Sequence, residues 1–398
     1  MALLNYLIPV LFIVFSFSQL IRIQFQNAAA VNLIDICIAS LIVVWLIFQK
    51  KKENYYLKTP ILLFISISFI SLLFSLASYT QNQVEVGALY LVRWTLYALL
   101  YFVFKDVGEL ISNKTVKWIY IGGLITIILG FLQLIFYPSL RNLYYLGWDE
   151  HLNRIFSTFL DPNFAGIFFV LFFIFIFIIR DNFKSNKIFT LLSNIILVLS
   201  FISIILTYSR GALLMLGVST LTYCVLLKKY KLLGVFIGIM IVIFIALSPG
   251  FYLENTNLLR MASVGQRIET SKDALNIYSK NPVFGVGFNN LRYAREKYGF
   301  HDTSKVGPSH SAAGADNSFV FVLVTTGIPG LIIYILLLYK TFKLGFNNLK
   351  KNKFALILVV SLAGLAVNSL TINSLFYGFV MIWVWILAGL TDSEKIPD

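Results

Sequence analysis

Residues 354–390 read FALILVVSLAGLAVNSLTINSLFYGFVMIWVWILAGL, a tract with no charged side chain. Wound as one helix rising about 1.5 Å per residue, it would be nearly twice as long as the roughly 30 Å hydrocarbon core of a bilayer. It therefore reads as two spans, Phe354 to Ile372 and Ser374 to Leu390, joined near Asn373. Helices suit that setting because they satisfy their own backbone hydrogen bonds where no water can.

The rest of the chain repeats the pattern. Apolar residues make up 59% of its 398 residues and charged ones 13%, and mean hydropathy is +0.83. A soluble domain has no interior large enough to hide so much apolar surface. Further spans fall at Leu3 to Ile21, Val31 to Phe48, Pro60 to Ser78, Val84 to Phe104, Val116 to Tyr137, Phe164 to Ile179, Ile188 to Leu206, Gly211 to Leu227, Leu232 to Ser248 and Asn317 to Leu338, making about twelve in all. The predicted fold is all-α and polytopic. Residues 1–249 carry nine spans, residues 250–316 form a large extracytoplasmic loop, and residues 317–398 carry the last three spans and a cytoplasmic tail.

Basic residues set the orientation. Lysines crowd alternate connections, at Lys50 to Lys58, Lys105 to Lys117, Lys228 to Lys231 and Lys340 to Lys353, with Arg180 to Lys187 in the same series, so both termini are expected in the cytoplasm. The arginines segregate differently. Arg22, Arg93, Arg141, Arg154, Arg210, Arg260, Arg267, Arg292 and Arg295 lie outward or within a span, and a face that selects guanidinium over ammonium suits bidentate binding of phosphate oxygens. The net charge of +14 is accounted for by this topology and by anionic headgroups, not by nucleic acid. Cys37 and Cys224 sit in spans, which leaves the outer loop without a disulfide framework. Met1 to Tyr6 lacks the positive charge of a signal peptide, so the first span reads as a retained helix.

Within the loop, Ser263 to Lys280 has helical spacing, with Ile268, Leu275 and Tyr278 as its apolar face, and Asn281-Pro282 ends it. Asn290 is placed to cap a short helix from Leu291 to Tyr298 that Gly299 stops. Among the spans, Arg93 stands out. A cation at mid-bilayer costs about 2.5 to 3.5 kcal/mol or more unless it faces a partner or a polar cavity. Asp35 and Glu85 are its candidate partners. With Arg210, which opens the eighth span, Arg93 is expected to build an outward-facing cationic pocket.

The order of motifs resembles the O-antigen ligase and polymerase superfamily. Arg210-Gly-Ala-Leu-Leu214 has the arginine that the superfamily places at an outward helix end, with leucine four residues on. Arg267 and the later Asn281-Pro-Val-Phe-Gly-Val-Gly287 resemble its loop arginine and Pro/Gly-x-Gly segment, and Ser157-Thr-Phe-Leu-Asp-Pro-Asn163 resembles the segment before its sixth span. After the loop, Asn317, nine residues, then Gly327-Ile328-Pro329-Gly330 keep the ligase frame, but Asp316 occupies the ligase histidine position.

The resemblance implies glycosyl transfer from an undecaprenyl-diphosphate-linked donor, on the outer face of a bacterial cytoplasmic membrane, with neither cofactor nor metal. Arg210 and Arg267 would contact the diphosphate, with Arg93, Asn317 and Asn163 lining the substrate site. Asp316, His310 or Asp161 would handle the acceptor proton. Because Asp316 replaces the histidine, the polymerase branch is expected, joining lipid-linked repeat units into O-antigen, capsule or exopolysaccharide, with a flippase and a chain-length regulator as partners and no nucleic acid. Ligase-type transfer of finished glycan is the alternative. A transporter or lipid-linked glycan flippase is the alternative of another class, but the loop Gln49 to Lys58 lacks the Gly-Asp-Arg signature of major-facilitator transporters. Flippases of lipid-linked glycans also lack so large an outer loop before the tenth span.

Overall fold

The computed structural model describes residues 3–24, 30–48, 54–183, 186–246, 262–300 and 314–393. His310 and Arg260 lie outside them. The helices are α1 (Leu4–Phe17), α2 (Leu33–Phe48), α3 (Lys58–Ser75), α4 (Gln81–Phe136), α5 (Pro162–Ile179), α6 (Lys187–Leu206), α7 (Arg210–Leu226), α8 (Tyr230–Ala246), α9 (Ala262–Ser279), α10 (Leu291–Lys297), α11 (Ser318–Asn347), α12 (Lys353–Asn368) and α13 (Gly378–Asp392). Among the described residues, six stretches are long and apolar enough to cross a membrane, and six further apolar helices are shorter. Each falls on one expected span. The chain is an all-α polytopic membrane protein.

The expected connection from Lys105 to Lys117 holds no open loop, because helical backbone runs from both spans up to a reversal near Gly108. That stretch has no proline, and Lys, Glu and Asp do not break helices as Pro and Gly do. Helix α4 thus carries two spans, Gln81–Gly108 and Ile111–Phe136. Lys105 pairs with Asp392 at the end of α13 at 3.1 Å, and Lys114 donates to Asn5 at the start of α1. On either side of them, Arg93 reaches Asp35 at the start of α2, and Gln133 reaches the Arg154 carbonyl. The chain therefore doubles back near Gly108, where added bulk would meet Ser393. Both arms clasp α13. Trp94 meets Trp385 edge-on at 6.0 Å, and Gly122 and Gly123 share a small cavity with Trp383. Around it, α5 is buried along nearly all its length, as an apolar helix surrounded by others should be.

The end of the bundle carrying α9 and α10 is the loop face. Between α1 and α2 it holds an unforeseen antiparallel hairpin, β1 (Arg22–Gln24) and β2 (Ala30–Asn32), with Arg22 opposite Asn32. The segment 281–290 tucks between α3 and α11. Val286 N donates to Val324 O at 2.9 Å, and Ser71 Oγ lies 2.6 Å from both Phe284 O and Thr325 O. Helix α11 breaks at Gly327, with φ 70°, where a Cβ would fall 1.9 Å from Val283 O. Only glycine fits there. The Pro/Gly-x-Gly segment and the Gly-Ile-Pro-Gly turn, far apart in sequence, are thus two halves of one lock that fixes where α9 and α10 stand.

Two local expectations change in that region. Helix α9 buries Ala274 and Ile277, not Ile268 and Leu275, which are 51% and 43% exposed, because the helix leans on α10 and α11. Asn290 precedes α10 without capping it. Its amide is drawn to Ser75 Oγ at 3.3 Å instead.

Candidate functional site

Helices α5 and α7 begin side by side on the loop face. Asp161 caps α5, its carboxylate accepting from Asn163 N at 2.6 Å, and Ser209 caps α7, accepting from Ala212 N at 3.4 Å. The caps are tied together, because Ser209 Oγ donates to Asn163 Oδ1 at 3.1 Å. Gly166 permits the approach, since a Cβ there would lie 2.7 Å from Ala212 Cβ. Two positive helix-dipole ends therefore open at one place, which favours an anion.

Arg154 holds the approach to α7. It is 2% exposed, and its Nε donates to Thr207 O at 2.7 Å while Nη2 reaches Tyr208 O at 3.4 Å. Tyr208 and Leu160, the residues just before the two caps, both adopt left-handed backbone, with φ 48° and 56°. For residues with a Cβ this costs of order 1 kcal/mol or more each, and such strain clusters at functional sites. From the sequence alone, Arg154 reads only as one of the outer arginines, with no role assigned. A basic residue in a short polar loop before an apolar helix gave no signal of burial.

Arg210 occupies the first turn of α7, where a cation opposes the dipole unless an anion offsets it. Arg267 comes from the half-buried flank of α9, and its charge bears on Arg210 and on Asp161. The lock between 281–290 and Gly327 thus brings a loop arginine to the mouth formed by α5 and α7. Burial pushes the Asp161 carboxyl above its ordinary value. The Asn163 N–H and the charges of Arg154 and Arg267 oppose that shift without cancelling it. Among the described residues Arg267 enters no ion pair, and its charge bears on Asp161 and Arg210.

Asp316 stands one residue before the cap of α11, which is Asn317, whose Oδ1 accepts from Phe319 N and Val320 N at 2.9 and 3.1 Å. The carboxylate of Asp316 accepts from Thr270 Oγ1 at 3.1 Å, one turn of α9 after Arg267. It also faces the buried Arg295, whose pKa burial lowers and whose charge Asp316, then Asp273, supports. Asn317 Nδ2 donates to Leu370 O at 3.3 Å, beside Asn368 and Thr371, which close over Gly211.

Arg93 lies elsewhere. Its Nη2 is 2.7 Å from Asp35 Oδ2, Nε donates to Asp35 Oδ1 at 3.1 Å, and Nη2 also donates to Ala30 O. Of its two candidate partners, Asp35 is the one found, while Glu85 accepts from Gln81. The structure therefore gathers Asp161, Asn163, Arg210 and Arg267, joins Asp316 and Asn317 to them through α9 and α12, and sets Arg93 apart in an ion pair.

Residues 195–335 match the family model described as O-antigen ligase. The match spans Arg210, Arg267, the 281–290 segment, Asp316 and the Gly327 break, and begins after Asp161 and Asn163. No curated protein matches the chain. The match supports the O-antigen ligase and polymerase superfamily, whose members act in glycan transfer at membranes.

Proposed function

We propose, from the match of residues 195–335 to an O-antigen ligase family model, that the chain polymerises lipid-diphosphate-linked oligosaccharide repeat units on the outer face of the bacterial cytoplasmic membrane. The observation that carries this is the mouth of α5 and α7, where two helix N-termini meet, Arg210 opens α7 beside Arg267, and Arg267 bears on the raised carboxyl of Asp161.

The donor diphosphate binds against Arg210, Arg267 and the helix ends. The acceptor hydroxyl attacks the anomeric carbon from the side opposite the diphosphate, and its proton passes to Asp161. The glycosidic C–O bond breaks, the electron pair leaves on the diphosphate, and the configuration inverts. Planar guanidiniums hold the two phosphates as charge develops on the leaving oxygen. Burial makes Asp161 a stronger base than an exposed carboxylate, as general-base work requires. Asp316, engaged by Thr270 and Arg295, positions α9. His310 has no part in this assignment.

A cell lacking the protein provides the test, because each activity leaves a different lipid-linked species when lost. Loss of polymerisation leaves single repeat units on the outer leaflet while long chains vanish, and this is the expected result. Long chains stranded on the lipid carrier would instead indicate ligation. Single repeats trapped on the cytoplasmic side would indicate a flippase.

A further inference from the structure

The hairpin between α1 and α2 carries a second arginine to the loop face, and the Arg93–Asp35 pair fixes its place. Arg93 donates to Ala30 O and Asp35 accepts from Asn32 N at 2.9 Å, so both ends of β2 are pinned. Pairing then sets Arg22 opposite Asn32. The Arg22 guanidinium lies 5.9 Å from the Trp148 ring centre. Its Nε is buried with no hydrogen-bond acceptor.

Arg292, on α10, adds its charge at the same place. Gly87 of α4 meets Asn290 so closely that a Cβ there would lie 2.7 Å from Asn290 Oδ1, which sets the start of α10 one turn from Tyr90. Burial first, with the charges of Arg93 and Arg292 adding to it, holds the Arg22 pKa below its ordinary value. Only Arg93 has a carboxylate, and neither Arg22 nor Arg292 enters an ion pair among the described residues. A wall divides this cluster from the first. Phe164, next to Asn163, stacks on Tyr377 at 3.8 Å, and Gln19 on the hairpin side donates to Tyr377 Oη at 3.5 Å.

We propose that Arg22 and Arg292 form a second phosphate-binding subsite, on the far side of the Phe164–Tyr377 wall, that holds the diphosphate of the acceptor's lipid carrier. It rests on the polymerase reading, in which both substrates are lipid-linked. A lipid-linked acceptor keeps its diphosphate at headgroup level wherever its sugars reach, so two diphosphates must be held apart at one depth. The orphaned Nε and its gathered cations lack one thing, an oxyanion acceptor, and a planar fork is built to receive it.

The test uses the full chain in phosphatidylcholine nanodiscs with undecaprenyl diphosphate as the probe, counted by native mass spectrometry. The wild type should bind two molecules per chain. R22Q/R292Q should bind one, R210Q/R267Q should also bind one, and R22K, which keeps the charge and the fold, should weaken the second event about tenfold. One molecule on the wild type, unchanged by R22Q/R292Q but lost with R210Q/R267Q, would overturn the second subsite and leave the polymerase site standing. Binding lost with R22Q/R292Q but unchanged by R210Q/R267Q would support the subsite and sink the reading of the α5–α7 mouth. Adding phosphatidylglycerol separates the two phosphate sources. If it displaces the second molecule in proportion to its amount, the cluster is a headgroup contact and the proposal fails.

Discussion

Arg93 and Arg154 contrast with Arg210 and Arg267. Arg93 is satisfied by Asp35 and Ala30 O, and Arg154 holds the carbonyls of Thr207 and Tyr208. In both, the planar fork grips protein and ties segments together. Arg210 and Arg267 stand in each other's field, and Arg267 bears, as Arg154 does, on a carboxyl that burial has raised. Like charges brought together at helix N-termini cost free energy in the empty protein, and an anion offsets that cost when it arrives. The role of an arginine in this molecule follows from what already faces it, not from its depth in a span.

The largest expected effect separates those two pairs. R210A/R267A should lower the elongation rate by at least about a thousandfold, the scale of removing preorganised charge from a leaving group, with the amount of folded protein unchanged. R93K and R154K should lower the thermal midpoint while turnover per folded molecule stays near wild type. Normal elongation by R210A/R267A would reverse the contrast.

A smaller effect distinguishes the two carboxylates. Asp161→Asn keeps the cap on α5 but removes the base, and elongation should fall about a hundredfold. Asp316→Asn keeps the bond from Thr270 and should cost less than about tenfold in the same assay. The opposite order would transfer the proton to Asp316.

The lock tests whether α9 must be held for Arg267 to act. Gly327→Ala forces a Cβ onto Val283 O in a left-handed backbone and should cost at least about 1 kcal/mol. It should be read as a lowered thermal midpoint together with weaker donor binding. Unaltered donor binding in a folded variant would free Arg267 from the lock.

The smallest effect concerns pH. Asp161 holds its proton more tightly in the folded chain than in the unfolded one, whose ordinary value is 3.8. Its contribution to stability is therefore most favourable below that value, falls as pH rises to the folded value, and is constant above it. The difference in thermal midpoint between wild type and Asp161→Asn should move against wild type through that window. Movement in its favour would mean that the arginines and the Asn163 N–H outweigh burial.

Hydropathy made the spans legible because a bilayer admits few alternatives. The Asn281-Pro282 stop made the end of α9 legible as well. What stayed hidden depended on contacts between distant segments. The hairpin exists because Arg93 and Asp35 pin Ala30 and Asn32, and no local pattern at Ile21 to Asn32 announces a strand. The buried face of α9 was misjudged because its neighbours are helices, not solvent and lipid. In the site, the arginines and Asp161 were visible as motif positions, but the partners that divide Arg93 and Arg154 from Arg210 and Arg267 were not.

Arg267 and Asp161, a loop residue and a helix cap, are expected to work on one reacting centre. A double-mutant cycle of Arg267→Lys and Asp161→Asn in single-turnover elongation measures this directly, because groups acting as a unit lose far less together than the sum of their separate losses. Strong non-additivity is expected, with the double variant little slower than the slower single. Two losses that add in full would place the residues at separate sites and contradict it.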